Sequence, residues 1–109
     1  MENGNADANP LRGEVPLRLE GKTFVLRPSF AALVTAEQEV GPLFGLIERA
    51  SEGRIGLSEL AAVLWHCLVH RPEGLTRDAF AEALLREGIA AALPAFRQLA
   101  VNILGGRAA

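Results

Sequence analysis

Residues 14–39 read EVPLRLEGKTFVLRPSFAALVTAEQE, and the register of this stretch decides the fold. Around Gly21, Leu17, Leu19, Phe24 and Leu26 alternate with Arg18, Glu20, Thr23 and Val25, the pattern of a β-hairpin with one apolar face. Taking Gly21 and Lys22 as the turn sets Leu19 opposite Phe24 and Leu17 opposite Leu26. Pro16 has no N–H to give a ladder, so the first strand is expected to keep an open edge there, and Pro28 closes the second strand. Ser29 then stands where a helix N-cap belongs. Phe30, Leu33 and Val34 give the following helix an apolar stripe, and Glu37, Gln38 and Glu39 mark its solvated end before Gly41. An isolated two-stranded ribbon is marginal in water, so helices must cover its apolar face. The expectation is an α+β domain: an N-terminal two-stranded antiparallel β-hairpin packed on a bundle of four to five short α-helices.

The rest of the chain supplies those helices. Pro42 suits the start of a second helix carrying Leu43, Phe44, Leu46, Ile47 and Ala50, ended by the glycine turn at Gly53. A third, about Ser58 to His70, is the most hydrophobic and reads as central: Leu57, Leu60, Ala61, Leu64, Trp65 and Leu68 form one face, and Val63 and Cys67 add a second. Thr76 is an N-cap with Asp78 in the first turn, where a carboxylate suits the helix dipole, and this fourth helix runs to Gly88 with Phe80, Ala83 and Leu84 inward. In the last segment, Ile89 to Leu104, Pro94 removes a backbone donor and predicts a break near Ala92. Beyond it Phe96, Leu99, Ala100, Ile103 and Leu104 form an apolar stripe. Residues 1–12 carry no periodic apolar pattern and read as a disordered leader, residues 13–106 as one domain and 107–109 as a tail.

Composition narrows the function. At 109 residues the chain suits one core. No run approaches the roughly 20 apolar residues of a membrane helix, and the N-terminus lacks a basic-then-apolar signal pattern, so a cytoplasmic protein with no membrane partner is expected. Eleven Lys and Arg against thirteen Asp and Glu, spread without blocks, disfavour a nucleic-acid partner. The segment AFAEALLREG is not the basic recognition helix that a helix-turn-helix reading of this region would need. Cys67 is the single cysteine, which excludes an intramolecular disulfide.

Candidate chemistry is thin. His66 and His70, four apart, would share one helical face beside Cys67, so a small metal- or thiol-dependent protein using His66, Cys67 and His70 can be drawn. The simpler reading places both imidazoles on the polar side of a buried helix and Cys67 as an inert thiol among Val63, Leu64 and Leu68. Gly53 and Gly56 lack the strand and GK[ST] of a phosphate loop, and Ser29 and Ser58 read as backbone caps. No cofactor, metal site or catalytic residue is expected.

The segments LRGEVPLRLEGKTFVLRPSFAALVTAEQEVG, LIERASEGRIGLSELAAVLWHCL and GLTRDAFAEALLREGIAAALPAFRQLAVNIL carry a further signal in the RGE lead, RPSFAAL, the EGR turn and the LW segment. Over residues 11 to about 105 the chain resembles the small gene-transfer-agent proteins of alphaproteobacterial prophage-like clusters. That family is grouped with phage tail assembly chaperones, and has also been labelled a tail tube protein. The resemblance implies a non-enzymatic tail assembly chaperone shielding the tape measure protein or, as the alternative, a structural tail component of the tail tube type. It places the protein in the cytoplasm or in a virion-like particle. It carries no active residues across. The surplus of apolar side chains nominates Phe44, Ile47, Trp65, Val69 and Phe96 as partner-binding residues, with the hairpin edge at Pro16 open to a second copy.

Overall fold

The computed structural model describes residues 8–106. Strands β1 (Val15–Leu19) and β2 (Lys22–Leu26) form the expected antiparallel hairpin, followed by helices α1 (Phe30–Val40), α2 (Leu43–Ser51) and α3 (Leu57–Cys67). A two-residue strand β3 (Leu68–Val69), then α4 (Arg77–Glu87) and α5 (Ile89–Leu104), complete an α+β fold with sheet order β1-β2-β3. The leader expected over 1–12 lies largely outside the described residues, although Pro10–Arg12 form a 3-10 turn capped by the Asn9 side chain. The 107–109 tail lies outside them too.

The hairpin register differs from expectation by two residues. Glu20 and Gly21 make the turn, both with positive φ (53° and 81°), so Leu17 faces Phe24 and Val15 faces Leu26. Left-handed conformations at both central residues are those of a type I′ turn, whose twist matches that of the flanking strands. A two-residue slip leaves the side-chain parity intact, so Leu17, Leu19 and Leu26 are still buried on one face. Glu20 is an unusual residue for positive φ, and α4 holds it there. Its N–H donates to Glu87 Oε1 (2.7 Å), and its carboxylate accepts from Arg86 Nε (2.6 Å).

Helix starts follow the side-chain caps. Ser29 Oγ accepts from Ala32 N–H (3.2 Å) and Thr76 Oγ1 from Ala79 N–H (3.1 Å). At α2 the carboxylate of Glu37 reaches the Leu43 N–H (3.0 Å), and at α3 Glu59 accepts from Gly56 N–H (2.8 Å). Ser58 is therefore inside α3 and caps nothing.

Three further expectations need correction. α3 ends at Cys67 instead of His70, because Leu68 and Val69 turn extended and pair with Leu26 and Val25. That pairing also buries Val25, which the alternation places on the polar side. α5 runs unbroken through Pro94: the ring deprives only the Ala90 carbonyl of its partner, on an exposed turn where water can replace it. Phe30 is 80% exposed and faces away from the core, which α1 meets instead through Ala36.

The core lies between the sheet and the helices. Leu60 to Leu64 are buried without interruption, so α3 is central as expected, with α1 packed on one side and α4 on another. Phe80 joins Phe24 edge-on (6.2 Å, 81°) and Trp65 at a tilt (5.8 Å, 48°), tying α4 to β2 and α3. Buried Asn102 in α5 donates to the Gly13 carbonyl (2.9 Å) and accepts from Gln98 (2.9 Å), docking the lead into β1. Beside it Glu14 accepts from Asn9 N–H (2.8 Å) and Arg27 Nε (2.6 Å). Burial pushes the Glu14 carboxyl up, but these donors outweigh it and hold it below the usual range.

Candidate functional site: an apolar groove along the last helix

α5 has more apolar residues than one face can hold. Ala92, Ala95, Phe96 and Leu99 point into the core at helical spacing. A second stripe, Ile89, Leu93, Ala100, Val101 and Leu104, faces a groove of about 890 Å³. The opposite wall is Ile47 and Ala50 of α2, Ile55 in the loop, and Leu57 and Leu60 of α3. Leu57, Val101 and Leu104 are 50%, 60% and 60% exposed, so the groove opens to solvent with apolar side chains on both banks. Among the described residues Arg97 is the one charged side chain in its lining. A lining this apolar, and of this volume, falls within the range of ordinary binding sites.

The five nominated partner residues do not form one surface. Ile47 and Phe96 line the groove, Phe96 from the buried side. Phe44 is 66% exposed one turn before Ile47 and lies outside the lining. Trp65 is half-buried against Phe80, and the guanidinium of Arg71 sits 4.1 Å from its ring centroid while donating to the Trp65 carbonyl (2.9 Å). Val69 lies in β3 opposite Val25. Of the groove residues missed from sequence, Leu57 starts α3 on the opposite wall, whereas Leu93, Val101 and Leu104 share one signal: on α5, positions 89, 93, 100, 101 and 104 make a second stripe at helical spacing, offset from the core stripe.

The histidine–cysteine reading fails on geometry. His70 lies past the end of α3 with φ 55°, so it does not share a helical face with His66. His66 Nε2 is 2.9 Å from Glu39 Oε1, and Arg77 closes on the same carboxylate, linking α3, α1 and α4. Arg77 first and His66 second hold the Glu39 carboxyl down at about 2. Burial pushes the Cys67 thiol up to about 12, where no thiolate forms near neutrality. Among the described residues no three His, Cys, Asp or Glu side chains gather as a metal site.

Further ion pairs lie on the surface. Arg49 grips both oxygens of Glu59 (3.1 and 2.8 Å) and, ahead of the Gly56 N–H, holds that carboxyl at about 2. Arg54 pairs with Glu52 and Arg86 with Glu20. No single helix among the described residues is long and apolar enough to cross a membrane.

The described residues thus form a small helical α+β domain with an apolar groove along its last helix. The family model for "Phage tail tube protein, GTA-gp10" matches residues 12–106, and the chain belongs to that family. It is thus a phage-tail-like protein of the gene transfer agent type, structural or assembly in role. Comparison with curated proteins and with solved structures returns no match.

Proposed function

We propose that this protein is a non-enzymatic tail assembly chaperone. It holds an apolar helical segment of another tail protein, the tape measure protein in the first instance, in the α2–α5 groove until tail subunits polymerise around that segment. The groove itself carries this reading, because two apolar banks open to water are what a helix-in-groove partner needs. Ile47 and Phe96 are its contacts from the original five, joined by Leu57, Leu93, Val101 and Leu104, with Phe44 a flanking contact. The strands favour this role over a tube wall: β1 and β2 have five residues each, about 17 Å, and β3 has two, against the long strands of a continuous inner sheet.

The family description favours a second reading, a structural tail component of the tail tube type, in which copies join one another, with the outer edge of β1 at Pro16 as the pairing surface. One experiment separates them: purified protein is mixed with the tape measure and tail tube proteins of the same gene cluster, and whatever co-elutes on size exclusion is identified. Co-elution with the tape measure protein, lost in Leu104→Glu while the fold is kept, supports the chaperone. Rings or tubes formed by this chain alone support the structural component and overturn the chaperone.

A further inference from the structure

We propose that the groove selects an amphipathic helix whose apolar ridge is flanked by carboxylates, and that Arg97 is the residue that makes the selection. This rests on the groove being the partner site. The α5 bank runs from Ile89 to Leu104, about 22 Å along the helix axis, a length that suits a rod lying alongside better than a compact ligand. Arg97 sits in the middle of that bank, one turn from Leu93 and one turn from Val101.

Arg97 is exposed, and no carboxylate lies within ion-pair distance of it among the described residues, whereas Arg27, Arg49, Arg77 and Arg86 each hold a glutamate. Among the described residues no acidic side chain lines the groove. The first turn of α5, which contributes Ile89 to the same bank, has neither an acidic residue nor a side-chain cap, so the field there is positive as well. An apolar ridge settling into the groove covers the aliphatic stem of Arg97 and leaves its guanidinium at the rim, where water is scarcer. A glutamate or aspartate on the flank of the incoming helix answers that charge, and a lysine in its place is repelled.

The test uses the full chain and three synthetic helical peptides: a leucine ridge with glutamate flanks, the same ridge with lysine flanks, and glutamate flanks with the ridge replaced by serine. Binding is followed by fluorescence polarisation. The expected result is that the glutamate-flanked ridge binds about fivefold tighter than the lysine-flanked one at low salt, that high salt erases the difference, and that the serine peptide does not bind. Arg97→Glu, an exposed change whose folding circular dichroism verifies, inverts the preference. Equal affinities for the two ridge peptides, or a preference that survives Arg97→Glu, overturns charge selection and leaves the groove standing. Failure of both ridge peptides to bind, binding indifferent to Leu104→Glu, or a dimer that shuts out every peptide overturns the groove reading as well.

Discussion

α3 and α5 are both strongly apolar helices, yet α3 is buried almost all round and α5 on one side only. From Leu60 to Leu64 every residue of α3 is buried, with α1 and α4 packed against the helix. α5 lies at the margin against β1 and α4, and its second stripe meets the groove. Hydrophobic content therefore does not tell which helix is core. What separates them is how much of each helix surface the rest of the fold covers, a property of topology. The apolar face left over at the margin is then the place to look for a partner.

If that contrast is right, substitutions on the two sides should differ sharply in cost. Phe80→Ala, at the junction of α4, α3 and β2, is expected to lose about 3–5 kcal/mol in urea unfolding and to leave little folded protein. Smaller losses belong to the scaffold that orients the core. Thr76→Ala removes the α4 cap and should lose about 1 kcal/mol by the same measurement. Gly21→Ala should lose a comparable amount, about 1 kcal/mol, although open space surrounds the site, because the cost there is the positive φ and not a clash. On the groove side, Val101→Ser should change stability by less than about 0.5 kcal/mol while weakening partner binding. A groove substitution as costly as Phe80→Ala would show that α5 is core on both faces and erase the distinction.

Acid gives a subtler probe of the surface clamps. The folded carboxyls of Glu39 and Glu59 sit at about 2, below their ordinary 4.5. A depressed folded pKa stabilises above the unfolded value and is lost as protons bind, so stability should fall between about pH 4.5 and 2. Glu39→Gln with Glu59→Gln should flatten that slope in denaturant titrations across this range. An unchanged slope would mean that solvent screens both clamps out.

Much of the fold is legible because it is written locally. Ser29 and Thr76 sit next to the N–H groups they satisfy, Gly88 follows its helix directly, and strand alternation survives even a wrong turn assignment. What escaped depends on distant residues. Glu20 accepts a left-handed backbone because Glu87 and Arg86, two-thirds of the chain away, hold it. Leu68 and Val69 read as the tail of an apolar helix, and only the exposed side of β2 makes them a strand. Pro94 is tolerated because the Ala90 carbonyl that it orphans lies on an exposed turn. The candidate site was half legible: Ile47 and Phe96 came from apolar surplus, but Trp65 and Val69 share that composition and are occupied by Phe80, Arg71 and β2.

The bond from Asn102 to the Gly13 carbonyl joins residues 89 apart in sequence and brings the start of the domain onto the last turn of α5. The two ends of the described residues therefore come together at a junction whose residues, Gly13 and Asn102, lie outside the groove lining. A permuted chain, joined across that junction by a linker and opened at the exposed Pro72–Gly74 turn, would place its new ends outside the groove lining and leave the groove free for capture.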